Sequence, residues 1–139
     1  MQFLKIYKEF TLIILITAAV LSFMIFFPVV VATSVFKVLD EKQSSKFLRI
    51  FFPKYYLFGL ILSLLGLIIS IFEKNNIPLI AFVILIIGFL FSRQFLMPII
   101  NKAKDDNNEK KFKILHRFSV LINFIQMGLC VLILVNVLK

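Results

Sequence analysis

The chain has 139 residues, 61% of them hydrophobic and 17% charged, and a formal net charge of +9. Average soluble domains are roughly 45–50% apolar and about 25% charged, so this chain has too few charges to cover its apolar surface, and the excess must face lipid. Its four Gly and four Pro exclude disordered and collagen-like classes, and its one cysteine, Cys130, excludes an intrachain disulfide or a Cys-pair metal site.

The first uncharged run is Phe10 to Phe36, 27 residues, more than the roughly 20 that a span needs. Pro28 removes a backbone donor and predicts a kink there. Lys5 and Lys8, with Val30-Val31-Ala32 downstream, also suit a cleaved signal peptide. The apolar region is far longer than the roughly 7–15 residues such peptides use, so the run reads as a span. The segment 37–54 follows as a charged connection, in which Phe47, Leu48, Ile50, Phe51 and Phe52 suggest a short helix lying in the interface. Tyr55 to Phe72 is the second run, 18 residues. Glu73-Lys74-Asn75-Asn76 is a tight turn that makes a hairpin of spans two and three. The third run starts at Ile77, meets Arg93 and Gln94, and continues to Met97 and Pro98. A solvated connection of mixed charge covers 98–117. The last run is Phe118 to Leu138, with His116 and Arg117 at its entrance. The expected architecture is therefore an all-α integral membrane four-helix bundle, one domain over residues 1–139, with spans at about 10–36, 55–72, 77–97 and 117–138.

The lysines lie beside apolar runs and not on a polar domain of their own. That excludes nucleic acid as the partner and points to topology and anionic headgroups of the lipid bilayer. Five Lys and Arg fall in 37–54, seven in 93–117 and four elsewhere. The positive-inside rule then puts both connections in the cytoplasm and both termini on the non-cytoplasmic side.

Helical periodicity assigns faces. Gly59, Ser63, Gly66 and Ser70 fall within an arc of about 60° at 100° per residue, a stripe that lets helices approach closely. Thr11, Ala18 and Ser22 on span one, and Ala81, Gly88 and Ser92 on span three, repeat the pattern. On span four His116, Ser119, Asn123, Gln126 and Cys130 share an arc of about 80°. Amides facing lipid lack partners, so this stripe is expected to face the interior, as interhelical hydrogen bonds or as a ligand site. Arg93 either snorkels to the headgroups or clamps an anion. No acidic residue lies within a span to pair with it.

Four segments read together carry a family resemblance: Val31 to Leu39, Phe51-Phe52-Pro53-Lys54-Tyr55-Tyr56, Arg93 through Pro98 to Asn101, and Phe112 through Leu115-His116-Arg117-Phe118-Ser119 to Asn123. Their order and spacing resemble the transmembrane protein 205-like family, bacterial membrane proteins of unknown function with a eukaryotic relative. That pattern leads one to expect proline near Thr33, where this chain has Pro28 instead. The resemblance implies a four-helix domain of the bacterial plasma membrane and no established reaction. A looser similarity to copper-resistance D type proteins and membrane protoporphyrinogen oxidases implies haem or copper as an alternative.

The matching residues gather at one end of the bundle, so a site is expected at that cytoplasmic mouth. Its lining would be Lys37, Tyr55, Tyr56, Arg93, Asn101, His116 and Asn123, binding a small ligand or a lipid headgroup. Under the cofactor alternative His116, Met127 and Cys130 would be the ligands. The remaining alternatives are a transporter or channel, for which four spans would have to oligomerise, and a structural or accessory subunit in a homo-oligomer or larger membrane complex. The lack of a phosphate loop, an HExxH motif or a carboxylate pair argues against an ordinary hydrolase or kinase and leaves the question of an enzyme open.

Overall fold

The computed structural model describes residues 2–139, with side chains from residue 12 onward. Among these residues there is no strand. Helix α1 (Gln2–Phe26) runs through a π-helical turn (Phe27–Ala32) into α2 (Thr33–Val38). Helix α3 spans Glu41–Glu73. Helix α4 (Asn76–Phe91) runs through a second π-helical turn (Ser92–Leu96) into α5 (Met97–Asp105). Helix α6 is Glu109–Val137. These make four rods, each long and apolar enough to cross a membrane.

The connections are shorter than the sequence suggests. The charged segments expected as loops are helical extensions of the rods, and the expected interfacial helix is the first third of α3. Asp40 caps α3 by accepting from the Gln43 N–H at 2.8 Å, and Asn108 caps α6 by accepting from the Lys111 N–H at 3.0 Å. Asp and Asn are among the preferred N-caps because their side-chain oxygens satisfy otherwise orphaned N–H groups. Lys74 ends α3 in the left-handed region at φ 54°, and Asn75 then caps α4.

Each rod packs against two others in cyclic order: α1 on α3, α3 on α4, α4 on α6, and α6 back on α1. Lipid gives no hydrophobic drive between helices, so close packing must hold them. The α3 stripe supplies it, since Gly59, Ser63, Gly66 and Ser70 are all buried. A Cβ on Gly66 would lie 2.3 Å from the Phe82 ring, and one on Gly59 would lie 2.6 Å from the Phe89 ring. Two rings one heptad apart thus seat on two glycines one heptad apart, which fixes the antiparallel register of α3 and α4.

Rod one differs from the expectation. Its buried face is Ile13, Thr17, Val20 and Met24. Ser22 is exposed and Ala18 only half-buried, while the Thr11 side chain lies outside the described residues. Ala18 and Ser22 thus lie off the buried face. Where a kink was expected at Pro28, the helix widens into the π turn, whose residues are all unburied. The carbonyls it loosens are taken by hydroxyls: Thr33 Oγ1 donates to Val29 at 2.7 Å, and Ser34 Oγ donates to Val30 at 2.7 Å. A backbone carbonyl in lipid needs such an internal donor. The second π turn stands just ahead of Pro98, whose ring would press on the Gln94 carbonyl of a regular helix.

Candidate functional site

The mouth is the end where the Leu39–Asp40 and Asp106–Asn108 turns lie. Exposed apolar side chains mark the lipid belt. They run from Phe72 up to Phe47 on α3, about 38 Å, and from Ile77 up to Ile99 on the third rod, about 33 Å at 1.5 Å per residue. Arg93 therefore sits about 9 Å below the belt's upper edge. Its Nε donates to the Pro53 carbonyl at 3.2 Å. Among the described residues, no carboxylate pairs with it and no acceptor meets its two Nη groups.

Beside Arg93, on the inside of the π turn, Ser92 is buried. Tyr56, 1% exposed, has the Asn123 and Ser92 side chains as polar neighbours. Tyr55 and Tyr56 belong to an aromatic layer with Phe23, Phe27, Phe52 and Phe89. Phe23 meets Tyr55 edge-on at 4.9 Å, and Phe52 stacks on Tyr56 at 5.8 Å. Such pairs contribute about 0.5–1.5 kcal/mol beyond area burial, so the layer holds Tyr56 in a fixed position beneath the mouth.

Near the belt's upper edge, Arg49 of α3 grips Asp105 of α5 with both Nη groups, one of them at 3.0 Å, and reaches the Asn101 carbonyl at 3.4 Å. Lys104 pairs with Glu41 at 3.6 Å and lies over the Phe112 ring. The Arg49 bond holds the Asp105 carboxyl below its ordinary value of 3.8. A depressed carboxylate pKa stabilises the fold above the unfolded value, and that contribution disappears as pH falls through the folded value. An NMR titration of the Asp105 carboxyl should give a midpoint below 3.8; Arg49→Gln should return it to the ordinary range. A wild-type midpoint at or above that range contradicts the clamp.

The structure packs Tyr55 on Tyr56, sets Asn123 and Ser92 beside Tyr56, joins Arg93 to Pro53, and makes Asn101 a backbone acceptor for Arg49. It leaves Lys37 exposed at the end of α2. His116 is also exposed, stacked flat on Phe112 of its own helix at 6.0 Å. It does not line the interior with Asn123. Nor can it share a metal with Cys130, which is fully buried on the same unbroken helix, about 21 Å further along. Among the described residues no group of three His, Cys, Asp or Glu converges. Sequence reasoning missed Arg49, Asp105 and the Pro53 carbonyl, and saw Ser92 only as a packing residue.

A family model for a domain of unknown function, DUF4149, matches residues 15–109. The chain belongs to that family. The DUF4149 match takes in rods one to three, and with them Arg49, Tyr55, Tyr56, Arg93 and Asp105; Asn123 and the rest of α6 lie beyond it. No curated protein and no solved structure matches the chain.

Proposed function

We propose that this integral membrane protein binds the phosphate-bearing headgroup of an amphiphile at the mouth, with Arg93 as the anion clamp. One observation carries the reading. Arg93 lies below the rim of the lipid belt with Nε committed to Pro53 and the Nη edge of its fork unpaired. A guanidinium there needs an anion, and two parallel N–H donors match two oxygens of a phosphate. Lipid phosphate is the anion that a bilayer supplies at this depth. Every group the site needs comes from a single chain. By the positive-inside rule the mouth is cytoplasmic and both termini lie outside. A bacterial plasma membrane and kinship with the transmembrane protein 205-like family complete the reading.

The test is native mass spectrometry of the detergent-purified chain with phosphatidylglycerol, with diacylglycerol of the same chains, and with inorganic phosphate. The phospholipid should be retained and the diacylglycerol lost. Inorganic phosphate retained without lipid would make the ligand a soluble anion. Arg93→Lys should weaken retention about tenfold, because Lys cannot hold Pro53 and present a planar fork together. Lys102→Gln, an exposed cation outside the site, should leave it unchanged. Equal retention by Arg93→Gln sinks the assignment.

A further inference from the structure

A second polar group of residues lies deeper in the bundle, near its middle, and the headgroup reading does not use it. Gln126 is 2% exposed, and its Nε2 donates to the Leu85 carbonyl at 3.3 Å. That bond fixes the amide orientation, because a carbonyl can only accept. Oε1 is then buried with no partner. Ser63, 0% exposed, also has an unpartnered hydroxyl. The two lie at one depth. Gly59 sits on Phe89 and Gly66 on Phe82, so Ser63 is level with Leu85, the residue that Gln126 grips. Phe23 packed on Tyr55 and Phe58 brings Thr17, fully buried, to the same turn of α3. Thr17 Oγ1 donates to Ile13 at 2.7 Å and keeps its lone pairs. All four rods therefore contribute a polar group to one layer.

We infer that this layer is a water site, in which a bound water accepts from the Ser63 hydroxyl and donates to Gln126 Oε1. A buried water characteristically makes about three hydrogen bonds to groups otherwise unsatisfied, and the layer offers a donor, a committed acceptor and the Thr17 oxygen. An orphaned amide oxygen within the lipid belt has no other source of a donor. Toward the mouth the fully buried Val20 and Phe89, with Met24 at 2% exposed, lie over the layer. On that side stand Asn123, whose Oδ1 is also unpartnered, Tyr56 and Ser92. On the far side the fully buried Ile13, Phe82, Cys130 and Ile133 close the interior. The polar layer is thus closed off by buried side chains on both sides and is not a pore.

Water-edited solid-state NMR on the full chain in bilayers, with Gln side chains labelled, tests this. Gln43, exposed beside the Asp40 cap, serves as the hydrated control, and the Gln126 signal is assigned by its loss in Gln126→Leu. Water magnetisation should reach the Gln126 amide. The transfer should vanish in Ser63→Ala and weaken in Ser63→Cys, whose S–H is a poor donor. It should persist in Ser70→Ala, since the Ser70 hydroxyl is already spent on the Gly66 carbonyl at 2.8 Å. A Gln126 amide that stays dry overturns the inference, as does transfer undiminished in both Ser63 variants.

Discussion

Replacing Gly66 by Leu should destabilise the protein by about 3 kcal/mol, the upper part of the range for overpacked cores. Three atoms of the Phe82 ring lie 2.3–2.7 Å from where the first side-chain carbon would stand. That ring is 0% exposed and has no space to yield. Accommodation requires α3 and α4 to part, which also lifts Phe89 from Gly59. Gly128→Leu is the matched control, because nothing lies within 4 Å of its Cβ position. It removes a helix-weakening glycine on an exposed face and should be neutral or stabilising by up to about 1 kcal/mol. Unfolding in mixed micelles measures both. Pairing Gly66→Ala with Phe82→Leu should recover part of the loss that Gly66→Ala causes alone. Equal destabilisation at Gly66 and Gly128 contradicts the α3–α4 register.

Phe89→Ala should cost about 3 kcal/mol, the low end for removing a buried aromatic ring. The low end applies because the unfolded helix still lies in lipid, so the loss is packing contact and not transfer from water. The ring is fully buried against Gly59, Phe23 and Tyr56. Its loss removes the backing of Tyr56, so phospholipid retention should fall along with stability. Phe95→Ala, a lipid-facing ring 62% exposed, should stay within about 0.5 kcal/mol of wild type. A Phe89 variant as stable as the Phe95 variant would mean that the aromatic layer does not hold the mouth together.

The spans and the α3 packing face were legible because Gly59, Ser63, Gly66 and Ser70 combine small size with helical spacing. The same rule misplaced α1. There Ile13, Thr17, Val20 and Met24 keep helical spacing as well, and in a helix apolar all round, small size alone does not separate a packing face from a lipid face. The charged segments read as loops because charge leaves a membrane. Yet Asp40 followed by Gln43 resembles a helix start, and no residue in 41–52 is Gly or Pro. Those signals could have joined the first extension to α3. The sequence pointed to a group of residues at one end of the bundle and to none of the bonds found there. Pro53 offers a backbone oxygen, which no side-chain pattern announces, and Arg49 meets Asp105 across 56 positions of sequence. His116 fell outside because, beyond Ser119, the covered face of α6 passes through Leu115 and Phe112 and leaves His116 outside it.

The central claim is a direct contact between Arg93 and lipid phosphate, and ³¹P–¹⁵N dipolar recoupling in phosphatidylglycerol bilayers measures it. Arg93 is one of only three arginines, and Arg49→Lys and Arg117→Lys leave it as the sole labelled guanidinium. Strong dephasing of its Nη signals, for a separation of about 4 Å or less, with weaker dephasing of Nε, is the expected result, because a hydrogen-bonded N⁺–H···O⁻ pair is about 2.8 Å long. Nη signals that show no phosphorus contact in the folded protein would contradict the account.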